Sequence, residues 1–316
     1  MLSNTFTVAL LIIVSGGFLA VGVWHARRVS LTVEEYIVAR NSSGPVTATA
    51  TIVASVAGSW ILFSPAETAT WAGIIGLVGY GIGQAAPLLS FVFLGPRMRR
   101  LMPSGHALTE YVYHRYGIYM YIFVLVVLLF YMFIFLSAEL TGISLAMNLI
   151  GETSLWLSAL VIGLLTVGYT TYGGIRASIF TDSIQFVFIL PLLAVVFVAS
   201  FASTGGVQLA LDTISEKAPN LLSLSHGPGL EFGIVLIIAI LSANMFHQGF
   251  WQRVYNAQDD AALKKGFIIG GIVVVPLILL AGVLGILAVS QDVVGDAPSV
   301  ALFSLVQATL PTWAVV

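Results

Sequence analysis

Apolar residues run in long blocks along this chain, separated by short polar or basic loops. A membrane-crossing helix needs about 20 such residues. Blocks of about that length run over 6–23, 74–94, 118–150, 155–172, 177–201, 232–251 and 267–289, and a partial one starts near Val300. Each predicts a transmembrane helix. The longest polar stretch, 203–229, predicts a loop, and the second half of the basic stretch 96–117 predicts a short interfacial helix.

One further block, Val46 to Trp71, reads VTATATIVASVAGSWILFSPAETATW. It is long and apolar enough to span, yet poorly made for a plain anchor. Ala57-Gly58-Ser59 is followed by Ser64-Pro65, and Glu67 sits inside the run. Proline removes a backbone donor and clashes with the preceding turn. A charge at mid-bilayer costs roughly 2.5–3.5 kcal/mol on insertion scales. Helix breaks at membrane depth persist where protein or a water-filled cavity satisfies the freed backbone groups. The stretch therefore predicts a broken helix whose exposed backbone binds something. The plainer alternative is a proline-kinked structural helix.

Composition agrees with the block pattern. Hydrophobic residues make up 59% of the chain and charged residues 8%, against about 25% charged in a soluble domain. An integral membrane protein is expected. A net charge of −2 argues against nucleic acid as a partner. Cysteine is absent, so no disulfide forms. The first apolar run lacks a basic leader and predicts a retained span rather than a cleaved signal. No Gly-rich phosphate loop, Cys/His metal cluster or nucleophile elbow is present, which argues against an enzyme.

Charge also orders the loops. With the first basic loop in the cytoplasm, every one of the 12 basic residues except Lys217 falls on that side. The opposite loops carry Glu152, Asp212, Glu216, Glu231, Asp292 and Asp296. The positive-inside rule expects such a bias, and the arrangement predicts about eight complete spans plus the start of a ninth. It places the N-terminus outside the inner (plasma) membrane.

Candidate chemistry lies on the polar residues inside the blocks. In Tyr169–Gln185, YTTYGGIRASIFTDSIQ, the glycine pair predicts a tight cytoplasmic turn. Arg176 then sits at the membrane edge, and Asp182 about two turns into the next helix. A buried aspartate near the inner face suits a cation exit path. The alternative is an Arg176–Asp182 ion pair that only anchors the turn. Glu67 lies past the break, as an outer-gate, substrate-binding or merely solvated residue. Ser55, Ser59 and Trp60 stand beside the break as candidate substrate contacts. Gln84 faces a cavity or joins two helices. Glu139 is expected to be a buried, hydrogen-bonded residue, with a transport role as the alternative.

The Tyr169–Gln185 segment resembles the signature of the sodium/solute symporter family, with its tyrosine-threonine, paired glycines and threonine-aspartate before glutamine. Ala54-Ser55-Val56-Ala57-Gly58-Ser59-Trp60 resembles that family's first broken core helix, closest to the proline permease pattern. His106-Ala107-Leu108-Thr109-Glu110 with Arg115-Tyr116-Gly117 resembles the stretch before core helix three. Trp251-Gln252-Arg253 with Asp259-Asp260 and Lys264-Lys265 resembles the basic loop after core helix six. The likeness covers nearly the whole chain in order. Val56 stands where the proline permease pattern has an aspartate, which argues against proline. The stretches around His106 and Ser59-Trp60 are similar to the urea-transporter branch.

The resemblance implies an all-α membrane protein of the LeuT-like inverted-repeat fold. Residues 1–45 are then an extra N-terminal helix and cytoplasmic loop, 46–203 a first repeat, and 231–316 a partial second repeat. The block 232–251 becomes core helix six, and its polar cluster Ser242-Ala243-Asn244 and His247-Gln248-Gly249 suits a second broken helix. Ligand sites of such folds lie near the midplane, where half-helix ends and unwound carbonyls face the cavity. Carried over by residue, a sodium ion is held by the backbone carbonyls of Ala54 and Ala57. The family's hydroxyl ligands belong to core helix eight, which begins only as this chain ends at Val316, so a fragment is expected.

Asn244 and His247 become cavity-wall candidates, His247 also a candidate for proton coupling because histidine titrates near neutral pH. The function implied is sodium-coupled symport, by alternating access, of a small polar solute of the urea, amino-acid, carboxylate or sugar class. The alternatives are the membrane domain of a sensor kinase and a sodium-independent channel.

Overall fold

Local signals start the helices where the apolar blocks begin. The computed structural model describes residues 2–28 and 32–311. Ser3 accepts a hydrogen bond from the Phe6 N–H and opens α1 (Asn4–Ala26). Thr32 caps α2 (Val33–Ile37) through the Glu35 N–H, and Pro45 opens α3 (Pro45–Val56). Proline suits this position because the first helical N–H has no partner to lose. The helix then stops. Ala57 and Gly58 leave helical geometry, Ser59–Leu62 form one 3₁₀ turn, and α4 (Ser64–Leu101) restarts with Pro65 in its first turn. Pro65 is thus a helix starter rather than a kink inside one helix, and the broken-helix expectation holds.

α4 is itself two segments. Gly73, with φ 63° and ψ −164°, ends the broken helix at 64–72, and 74–101 forms the next long helix. Then come α5 (Leu108–Tyr116), the short helix expected in the basic stretch, and α6 (Ile118–Gly151). α7 (Leu155–Ser203) likewise divides at Gly174, where φ is 57°. The stretch 203–229, expected as a loop, carries α8 (Val207–Lys217) and a 3₁₀ turn at Pro219–Leu222. Ala210 and Ile214, four residues apart, bury one face of α8. Two apolar positions in a polar stretch are too weak a period to read unaided. A second interrupted helix follows, α9 (Gly227–Asn244) and α10 (Gln248–Asn256), then α11 (Asp260–Ser290) and α12 (Ala301–Thr309).

Six of these helices are long and apolar enough to cross a membrane by length and composition. With α4 divided at Gly73 and α7 at Gly174, and with α3 joined to 64–72 and α9 to α10 as two interrupted passes, the described residues make eight apolar passes, as the block pattern predicts.

α11 backs the first interrupted helix along both halves. Its Gly266 and Gly270 meet Ala48 and Ile52 of α3, and its Gly285 meets the Ala66 carbonyl of α4. Without a hydrophobic driving force between helices in lipid, small residues that allow close backbone approach carry such packing. Lys217 of α8 pairs with Asp292 and donates to the Ser290 carbonyl (2.9 Å), fastening the acidic end to α11.

At Gly174 the positive φ and the close approach coincide. The Tyr36 carbonyl and ring occupy the space a Cβ would need. Left-handed geometry costs a non-glycine residue roughly 1–2 kcal/mol before that clash is counted. Gly174→Ala is therefore expected to lower the unfolding midpoint in detergent clearly. Gly16→Ala, where a Cβ meets nothing within 4 Å, is expected to leave it unchanged or raise it. Differential scanning fluorimetry of the two variants checks this, and equal midpoints would contradict the role assigned to Gly174.

Candidate functional site

The two interruptions face one cavity of about 350 Å³. Ser55, Val56, Trp60 and Ser64 line it from the first break, and Ala243, Asn244 and His247 from the second. Tyr80 and Gln84 of α4 close one side, and Tyr131, Phe135 and Glu139 of α6 another. Trp60 stacks on Tyr80 with ring centroids 5.9 Å apart, and the Tyr80 hydroxyl donates to Ser64 Oγ (3.0 Å).

The first break frees specific backbone groups. In a continuous helix the N–H of Gly58 would go to the Ala54 carbonyl, and that of Ile61 to the Ala57 carbonyl. Here Gly58 donates to Val56 (2.9 Å) and Ile61 to Gly58 (3.2 Å). The carbonyls of Ala54 and Ala57 are released, while the Val56 carbonyl also receives the Trp60 indole N–H (3.1 Å). Oxygen ligands of this kind suit a hard cation. The N–H of Ser59 is released too. It donates to Glu139 Oε2 at 2.7 Å, and the Ser59 hydroxyl lies 2.9 Å from the same oxygen and 3.0 Å from the Glu139 carbonyl.

His247, only 5% exposed, packs against Phe250 (centroids 4.5 Å apart), Phe135 (5.1 Å) and Tyr131 (6.1 Å). Neither ring nitrogen has a hydrogen-bond partner, and neither does Glu139 Oε1. Buried polar atoms without partners are uncommon and call for an explanation.

One helical turn from the freed Ala54 carbonyl lies a buried lock. Thr51 Oγ1 donates to Asp182 Oδ2 (2.6 Å) and accepts from Arg253 Nε (3.2 Å). Arg253 Nη2 donates to the same Asp182 oxygen at 2.8 Å, and Nη1 to the Gly249 carbonyl at 3.3 Å. Arg253 and Asp182 side chains are 8% and 15% exposed. Three elements, α3, α7 and α10, thus meet at one pair of charges.

Beyond the lock, toward the basic loops, the segment before α3 hooks over the end of α10. The N–H groups of Ser42 and Ser43 donate to the Asn256 carbonyl (2.9 and 3.1 Å), and that of Asn41 to Tyr255 (3.1 Å). These groups satisfy helix-terminal carbonyls that have no partner within the helix. The Asn256 amide returns donors to the carbonyls of Val38 and Ala39 (3.2 and 2.8 Å). Outside this hook, Glu34 takes Arg40 at 2.5 Å and His106 at 2.7 Å. Burial alone would raise the Glu34 carboxyl, but hydrogen bonds from His106 and Arg40, with the Arg40 charge, outweigh it and hold it below its usual range. A depressed carboxyl stabilises the fold above the ordinary glutamate range, and that contribution is lost as pH falls through the folded value.

Of the residues the sequence singles out, Ser55, Trp60, Gln84, Asn244 and His247 all line the cavity. Ser59 stands behind them, turned to Glu139. Glu67 is half-buried in the first turn of α4, outside the cavity wall, and forms no ion pair among the described residues. The expected alternative of an Arg176–Asp182 pair is wrong. Each member of that short-range pair is matched instead by a residue from another element, Arg176 by Glu35 of α2 and Asp182 by Arg253 of α10. Sequence reasoning also passed over Tyr80, Tyr131 and Phe135, whose aromatic character is unremarkable within apolar blocks, and quoted Arg253 only within a motif. An arginine beside a buried break was the available signal.

Residues 36–311 match the model of the sodium:solute symporter family. A spermidine transporter of Candida albicans is 33% identical over 265 residues, covering 83% of this chain and 50% of that protein. A urea-proton symporter of Oryza sativa subsp. japonica is 25% identical over 267 residues, covering 74% of this chain and 37% of that protein. The chain thus spans half or less of the length of these relatives. A solved Na⁺-coupled sialic acid symporter, in a substrate-bound outward-open state, superposes with a TM-score of 0.80 at 19% identity, covering 98% of this chain and 68% of its own. The fold is the LeuT-like one, present in part.

The lock predicts strong coupling between its members. Removing one partner of a buried ion pair typically costs about 3–5 kcal/mol, because the other charge is left unpaired. Asp182→Asn and Arg253→Gln are each expected to destabilise the protein by that order. The double variant is expected to recover part of the loss. Thermal unfolding of the set in detergent checks it, and strictly additive effects would contradict the lock.

Proposed function

The chain belongs to the sodium:solute symporter family, and from that premise we propose that it moves a small polar solute across the plasma membrane by sodium-coupled alternating access. It is a multi-pass membrane protein of a transporter family. The observation that carries the reading is the pair of interruptions meeting at one cavity, with the released Ala54 and Ala57 carbonyls beside it. Those two carbonyls would hold sodium, which when bound contributes the free energy of its gradient, about 2.3 kcal/mol per charge per 100 mV.

The residues around the cavity divide the work. Ser55, Trp60, Gln84, Asn244 and His247 meet the solute, and Ser59 braces the break through Glu139. Asp182, held by Arg253 and Thr51, closes the route from the freed carbonyls to the basic end, and opening that side requires the lock and the Asn256 hook to part. Arg176 keeps the α2 segment seated through Glu35. Glu67 stands on the acidic side of the break, at the outer entrance. The repeats 46–203 and 231–316 would move against each other, with 1–45 outside the pair. The solute class includes urea and amines, in keeping with what the named relatives carry.

Proton coupling is the second reading. It is favoured by Glu139 and His247, two titratable side chains with unpartnered atoms on the cavity wall. Uptake into proteoliposomes separates the two. An inward sodium gradient is expected to drive accumulation of at least one of urea, spermidine, proline, acetate and a sugar, and Asp182→Asn to abolish it. Uptake driven by a proton gradient and indifferent to sodium would overturn the sodium reading.

Orientation has its own test, made simple by the absence of native cysteine. A single cysteine at Lys217 is expected to react with an impermeant maleimide on intact cells, and one at Lys264 only after permeabilisation. The reverse pattern would put the N-terminus inside.

A further inference from the structure

The freed donor at the break is already occupied by the protein itself. Ser59 gives both its N–H and its hydroxyl to Glu139 Oε2, at 2.7 and 2.9 Å. A Cβ on Gly58 would overlap the same carboxylate, so the glycine leaves room for it. Glu139 therefore stands where the carboxylate of a solute would otherwise find its backbone donor. Its second oxygen, Oε1, is buried and accepts nothing. Elsewhere on the cavity wall both ring nitrogens of the buried His247 also lack partners. Among the described residues no basic side chain pairs with Glu139.

An unsatisfied buried acceptor and an unpaired buried carboxylate are both unfavourable. The remaining wall supplies aromatic rings, Trp60, Tyr80, Tyr131 and Phe135, and ring faces attract cations. A hard metal ion is a poor occupant of this spot. Such ions take about six oxygen ligands, whereas Glu139 offers one free oxygen and the described residues hold no cluster of three His, Cys, Asp or Glu. An organic cation with several N–H donors meets every requirement. Its charge offsets that of the Glu139 carboxylate, and its body lies against the rings.

We propose that this cavity selects solutes bearing an ammonium or guanidinium group, that Glu139 determines this specificity, and that solutes presenting a carboxylate at the same end are excluded. The inference rests on the reading of the cavity as the solute site.

Three probes of one shape and different charge test it: N-butylguanidinium, N-butylurea and pentanoate. Their binding to the purified full chain is measured by calorimetry and by tryptophan fluorescence. Butylguanidinium is expected to bind about tenfold or more tightly than butylurea, since hydrogen bonds to a charged partner are the stronger kind, and pentanoate not to bind. In Glu139→Gln the preference for the cation over the urea is expected to fall below about threefold. Glu139→Asp, which keeps the charge, is expected to retain a preference.

Equal binding of pentanoate and butylguanidinium to the unaltered protein would overturn the proposal whether or not either variant folds. So would an undiminished cation preference in Glu139→Gln, which would mean that Glu139 sits there as a neutral acid. Repeating the titrations with potassium in place of sodium separates the two readings. A cation preference indifferent to sodium supports Glu139 selectivity and counts against sodium coupling. Sodium-dependent binding without a charge preference does the reverse.

Discussion

A helix that stops midway through an apolar slab leaves amides and carbonyls without partners, and each unmatched group costs several kcal/mol there. The break at Ala57 and Gly58 creates both kinds, and the molecule treats them differently. The freed Ser59 amide is met by a carboxylate from α6. The carbonyls of Ala54 and Ala57 lose their helical donors, because Gly58 donates to Val56 and Ile61 to Gly58. On the cavity wall one carboxylate oxygen of Glu139 and both ring nitrogens of His247 have no hydrogen-bond partner.

A break also weakens the helix mechanically, and the surroundings compensate. α11 lies along both halves, its glycines letting the backbones meet. On the basic side, Thr51 is locked to Asp182 and Arg253, and the segment 41–43 caps α10 through the Asn256 carbonyl and its neighbour. The two interrupted helices are thus joined below the cavity by a charge pair and by backbone hydrogen bonds. Thr51 sits one turn from Ala54, so a single turn of α3 separates the break from the lock. Packed elements of this sort switch between discrete arrangements rather than deform smoothly.

Much of this was legible beforehand. The break in 46–71 is written in Gly58 and Pro65, residues whose backbone constraints act locally. The turn at Gly174 follows from a glycine pair, and the cavity residues on the two breaks follow from polar side chains set in apolar blocks. The partners were not legible. Arg176 and Asp182 are six residues apart and looked like a pair, yet each finds a stronger partner on another element, Glu35 and Arg253. Glu139 read as a buried, hydrogen-bonded residue, which it is, but nothing in its own block says that Ser59 is its partner.

By itself the sequence determined the membrane setting, the order of the apolar helices and the break in 46–71, because chain-local properties control these: apolar length, proline and glycine. Tertiary structure alone decided which charges neutralise one another, which polar atoms are left unmatched, and which aromatic rings share a wall. Those outcomes depend on distances between residues far apart in the chain. Ser59 and Glu139, or Thr51 and Arg253, acquire meaning only when separate helices bring a few atoms within hydrogen-bonding reach.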